Sequence, residues 1–203
     1  MRATSVVLTS LLCVAAAGAV QSFLILSRGV VADDASAVDD SLPDGDDEGR
    51  ISLEGKLLVA APGLDDPYFA GSVIYMLADD EQGALGVVLN RARGTVHGID
   101  LWDGGPVGRD RVFVLHDDLD SDASIVVNGI AVAADPSVLD DVIDGKGPLR
   151  SRIFVGYAGW GPGQLDGELQ EGAWLVADAD PMMVLSDDVG VTTAKAYARA
   201  QRP

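Results

Sequence analysis

Gly156-Tyr157-Ala158-Gly159-Trp160-Gly161-Pro162-Gly163-Gln164-Leu165 is the stretch on which the fold turns. It continues an apolar run, Ile153–Tyr157, and leads through Glu168 and Glu171 into Gly172-Ala173-Trp174-Leu175-Val176. The block reads as a strand that runs into a tight turn and then a short polar helix over 163–171, stopped by Gly172. Packing of Trp160 and Trp174 over small residues accounts for the glycines. A cleft in which exposed aromatics and glycine loops line a ligand is the competing account. On the packing account, Gly161→Val is expected to destabilise the domain by a few kcal/mol through backbone strain and overcrowding.

Outward from this block, strand signals dominate. Lys56–Ala61 is a short apolar run closed by Pro62-Gly63, and Val112–Leu115 is another. Ser72–Ala78 and Ala84–Asn90 read as a hairpin across the five residues Asp79–Gly83. Ser124–Val127 and Ile130–Ala133 flank Asn128-Gly129, a two-residue turn whose positions both favour positive φ. Helices are fewer: Pro136 starts one that runs through Val138–Ile143 to Gly145, and Thr192–Ala200 forms another. Locally paired strands with few helices predict an α+β fold. It has a strongly bent, largely antiparallel sheet, a few flanking short helices and a single domain.

Composition narrows the partners. The chain has 203 residues, 48% apolar, and carries a net charge of -18. The charge is spread: residues 1–50 hold 3 basic and 8 acidic side chains, and residues 51–203 hold 11 and 24. Such a surface repels phosphate backbones, so no direct nucleic-acid binding is expected. Cys13 is the one cysteine, which excludes an internal disulfide or a cysteine-rich zinc site.

The first 32 residues read as a signal or targeting peptide or a membrane anchor. No charge falls between Arg2 and Arg28, and the apolar length could span a bilayer as one helix. Alternatively, Val6–Val14 is a signal core with Ala15-Ala16-Ala17 or Ala17-Gly18-Ala19 as its cleavage site, after which Phe23–Ala32 could start an organellar transit segment such as a plastid one. Membrane contact is therefore expected only through residues 3–27, if they are not cleaved. Residues 33–52 read as a disordered acidic linker, with eight acidic and no basic side chains over 33–49. Asp44, Asp46 and Glu48 mimic the start of a calcium loop, but the twelfth position is Gly55, so no metal is expected there.

The chemistry-bearing residues are sparse. His116 precedes Asp117-Asp118 and has the makings of a general base. No cysteine or nucleophile elbow accompanies it, and a strand-end histidine bonded to a neighbour is the plainer reading. Gly161-Pro162-Gly163 opens a helix whose free N–H groups form a generic anion site, yet Asp166 and Glu168 already complement its dipole. No cofactor is expected.

Several runs, taken in order, resemble the YqgE/AlgH family. They are Gly55–Pro62, Asp66-Pro67-Tyr68-Phe69 with Ser72-Val73, Gly83–Arg91, Gly104-Gly105-Pro106-Val107, Val114-Leu115-His116, Gly156–Leu165 and Gly172–Leu175. The resemblance covers about 53–185 within a domain over 53–203. Ala92 stands where the family usually has proline, and the segment 91–103 is too short for a helix the family carries there. The resemblance implies a bent sheet with flanking helices and carries over no catalytic residues; one branch is linked to regulation of alginate production.

The resulting expectation is a non-enzymatic interaction or regulatory module that binds a protein partner. One alternative is a small-molecule-binding protein or hydrolase. Its cleft would be formed by Gly104, Gly105, Pro106, His116, Tyr157, Trp160, Gly161, Gly163 and Gln164. A transcriptional regulator, by family analogy, is the other.

Overall fold

The computed structural model describes residues 51–120, 124–134 and 136–203. The apolar N-terminal segment and most of the acidic linker read from the sequence lie outside them. Ten strands among the described residues form one curled sheet. They are β1 (Lys56–Ala60), β2 (Val73–Asp80), β3 (Gly83–Val88), β4 (Ala92–Val96), β5 (Ile99–Asp103), β6 (Val107–His116), β7 (Ser124–Val127), β8 (Ile130–Ala133), β9 (Ser151–Trp160) and β10 (Trp174–Asp178). The main path runs β10-β1-β2-β3-β9-β6-β8-β7, with β5 joined to β9 and β4 to β5. Every pairing is antiparallel except β5 with β9. Short helices flank the sheet: α1 (Pro136–Ile143), α2 (Gln164–Gln170), α3 (Pro181–Val184) and α4 (Val189–Arg199).

The central strands read as unbroken apolar runs because both faces of the sheet are covered. Alternation sends Leu57 and Val59 of β1, with Val73 and Tyr75 of β2, into one core layer. Leu58 and Ala60, with Ile74 and Met76, enter the other layer, beside Trp160, Leu165 and Trp174. A third, smaller cluster joins Val114, Ala133 and Ile153 to Val138 of α1. Helix α4 is tied across the sheet by Tyr197 Oη, which donates to Ala60 O at 3.0 Å. The outer edge of β10 is met by the C-terminal tail, where Val176 and Gln201 exchange two hydrogen bonds of 2.8 and 2.9 Å.

Several boundaries differ from the sequence reading. The β2–β3 connection is tighter than Asp79–Gly83, since Asp80 pairs with Gly83 and Asp79 with Ala84 across a two-residue turn. Asp79 also accepts from Leu53 N at 2.8 Å, so its side chain fastens the chain entering β1. The shortened 91–103 segment is a β-hairpin, β4–β5, turning at His97 and Gly98 with φ of 50° and 82°. Trp174–Asp178 is an edge strand paired with β1, which the Trp174-Leu175-Val176 run had not been assigned to.

Candidate functional site

The motifs quoted above converge where β9 changes partners. Along one edge of β9, residues 153–155 pair with β5, and residues 158–160 pair with β3. The sheet forks between them, and Gly104-Gly105 fills the fork: Gly104 N donates to Val155 O, and Gly104 O accepts from Val88 N, both at 2.9 Å. The approach is close. A Cβ on Gly104 would lie 2.3 Å from Gly156 O, and one on Gly105 would lie 1.9 Å from the Tyr157 carbonyl carbon. Gly156 answers with φ of +75°, which a side chain rarely adopts. The two glycine loops are thus pressed together backbone to backbone.

This relocates the overcrowding expected at Gly161. A Cβ at Gly161 would meet only Gln164 Oε1, at 3.9 Å, and the residue has no positive φ. Gly105→Ala is therefore expected to lower stability by about 2–4 kcal/mol, because backbone rather than a movable side chain must shift. Gly161→Ala should change it by less than about 0.5–1 kcal/mol. Comparing their urea midpoints with the parent checks both values.

The turn after β9 is held by a buried carboxylate. Glu168 Oε2 accepts from Trp160 Nε1 at 3.0 Å and from Trp174 Nε1 at 2.8 Å. Its Oε1 accepts from Gln164 Nε2 at 2.9 Å, and Gln164 Oε1 accepts from Gly161 N at 3.1 Å. The indoles meet edge to face, with centroids 6.0 Å apart, and both are buried. Gly163 provides the left-handed start of α2 at φ of 70°. Trp160, Gly161, Gly163 and Gln164 therefore sit at one turn, with Trp160 buried and Gly163 exposed, whereas Gly104, Gly105, Pro106 and Tyr157 belong to the fork. His116 joins neither. It pairs with Ser151 at the opposite end of β9 from Trp160, up to about 30 Å of extended strand away. It is fully buried, and that burial lowers its pKa, with Asp118 and Asp117 opposing the shift.

Two positions that sequence reasoning passed over make the fork polar. The Arg91 guanidinium lies 4.2 Å from the Tyr68 ring centroid and donates to Tyr68 O. Asp103, at the tip of β5, pairs with Arg109 at 3.2 Å and gives its N–H to Arg91 O at 2.9 Å. Tyr68 Oη and Asp103 Oδ1 are shielded from solvent and outside hydrogen-bond geometry. Burial first, then Asp103, raises the Tyr68 pKa, with Arg91 opposing. Beneath them, Arg152 is buried with its Cζ 3.8 Å from the Trp102 ring centroid, and it donates to Leu89 O and Val184 O at 2.8 Å each. Desolvation pushes its pKa down to about 10, against the attraction of Asp187, so it stays charged at neutral pH. Among the described residues, no group of three or more His, Cys, Asp or Glu side chains is placed to hold a metal.

A curled antiparallel sheet, forked at a paired-glycine junction and locked by a carboxylate between two indoles, defines the structural class. Solved relatives share the fold. The solution structure of the AlgH protein from Pseudomonas aeruginosa aligns with a TM-score of 0.65 and 34% identity, over 80% of this chain and 92% of that one. A crystal structure of a protein from Corynebacterium diphtheriae aligns at 0.61 and 26%, over 74% and 88%. By sequence, a UPF0301 protein of Caulobacter vibrioides is 39% identical over 167 residues, 70% of this chain and 84% of its own length. A UPF0301 protein of Methylococcus capsulatus is 36% identical over 174 residues, 77% and 96%. Residues 57–202 match the AlgH-like family, DUF179, and the chain belongs to that family. Among the described residues, no helix is long and apolar enough to cross a membrane.

Proposed function

We propose that the domain is a non-enzymatic interaction module that binds a protein partner, and that the β4–β5 hairpin is its docking edge. The observation that carries this reading is β4 itself. All five of its residues, Ala92–Val96, are exposed, and β4 pairs along one side only, with β5. An unpaired edge offers N–H and C=O groups that an extended peptide can complete as a further strand. Charge adds to the case. Residues 91–111 carry Arg91, Arg93, Arg109 and Arg111 against Asp100, Asp103 and Asp110, a net positive stretch within an acidic domain. A partner with an acidic strand is steered there and away from the remaining surface. Two of the buried polar side chains serve the fold: Glu168 bonds two indoles, and Arg152 bonds two carbonyls.

A photo-crosslinking residue placed at Val96, with a second placed at Glu171 as control, tests the reading in cells. A discrete adduct is expected from Val96 alone, and Arg93→Glu should reduce it. Equal adducts from both positions, or an adduct indifferent to Arg93→Glu, overturn the assignment.

A further inference from the structure

A cleft of about 410 Å³ opens between the start of β9 and α3 with the residues that follow it. That volume lies within the range of small-molecule sites, about 300–1,000 Å³. Leu149, Met182 and Leu185 supply its apolar surface, Ser151 and Ser186 line it beside them, and Arg150 and Asp187 are its charged groups. Leu149 is 99% exposed and Met182 62%, so these side chains keep apolar surface in water that a ligand would cover.

The two charges are held apart. The ion pairs within 4.0 Å among the described residues are Lys56–Asp178, Arg109–Asp103, Lys146–Asp144 and Arg199–Asp180. Arg150 and Asp187 face one cleft yet neither joins a pair. Arg150 is fixed at the backbone, where its N–H donates to Asp117 Oδ1 at 3.2 Å, and its guanidinium rests 2.7 Å from Met182 Sδ. The helix cap beside Asp187 is its neighbour Asp188, which accepts from Val191 N at 2.9 Å. Behind the wall, buried Arg152 has an Nε without a partner and attracts Asp187.

A cation and a carboxylate that line one cleft without pairing, beside three apolar side chains, complement a zwitterion. We propose that this cleft binds a free α-amino acid with an apolar side chain. Its carboxylate meets the Arg150 guanidinium, its ammonium meets Asp187, and its side chain lies against Leu149, Met182 and Leu185. A simple carboxylate would face Asp187 with like charge, and a simple amine would face Arg150 likewise. This site is separate from the hairpin edge, and neither assignment depends on the other.

The test is a titration of full-length protein carrying ¹³C-methyl methionine, with the Met182 resonance assigned through Met182→Leu. L-leucine should shift Met182 saturably, with a Kd of about 1 mM or tighter, and leave buried Met76 unmoved. Isovalerate and isoamylamine, which each carry half of the charge pattern, should bind about ten-fold more weakly or worse. Arg150→Gln and Asp187→Asn should each weaken leucine binding about ten-fold with melting unchanged. A response that stays linear, equal binding of isovalerate, or unchanged affinity in both variants overturns the proposal.

Discussion

Glu168→Leu is expected to lower stability by about 3–5 kcal/mol, since two buried indole N–H groups lose their acceptor at about 1–3 kcal/mol each. Trp160 and Trp174 are both buried and share one carboxylate oxygen, so neither can turn to water. Leucine roughly fills the volume and offers no acceptor. The replacement thus isolates the hydrogen bonds from the packing. Glu168→Gln separates charge from geometry. One amide oxygen can still serve both indoles, but the amide nitrogen then faces the Gln164 Nε2 donor. Turning Gln164 over would remove the acceptor that holds Gly161 N. The expected loss for Glu168→Gln is therefore smaller, about 1–2 kcal/mol. Urea midpoints rank the two variants, and near-ultraviolet circular dichroism reports whether the indole pair keeps its fixed geometry. A loss below about 1 kcal/mol for Glu168→Leu would show that the turn is held by packing alone.

The architecture was legible in the sequence where patterns are local. The Asn128-Gly129 hairpin pairs residue for residue as its turn chemistry dictates, with Val127 opposite Ile130. The Gly-rich block was legible as a strand, turn and helix because proline and glycine punctuate it. What the sequence left hidden depends on contacts between distant segments. Trp102 lies against Arg152 only because β5 runs parallel to β9, and nothing local announces a parallel pairing inside an antiparallel sheet. Gly105 and Gly161 look alike in the sequence, yet one is pressed against backbone and the other has open space around it. His116 ends β6 and Gly104-Gly105 precede its start, but a strand of ten residues carries its ends far apart. The sequence offers Glu168 as a complement to the helix dipole, yet the residue is buried. The indoles that claim it come from the residues on either side of that helix, eight before and six after.

Arg152 shows how such a signal could have been found, and it sets the second large effect. The apolar run begins at Ile153, two residues after the strand itself starts at Ser151. Alternation from Phe154 inward places Arg152 on the same buried face. There it holds the end of β3 through Leu89 O and the end of α3 through Val184 O, with the Trp102 ring against its guanidinium plane. Arg152→Ala is expected to destabilise the fold by about 3–5 kcal/mol, by leaving two carbonyls without their charged donor and a void beside Trp102. Arg152→Lys keeps the charge but offers a point ammonium in place of a planar fork, and it cannot stack on the indole in the same way. It should recover less than half of the loss, as read from urea midpoints. Full recovery by lysine would mean that the charge alone, rather than the two-carbonyl bridge and the stacked plane, secures the fork of the sheet.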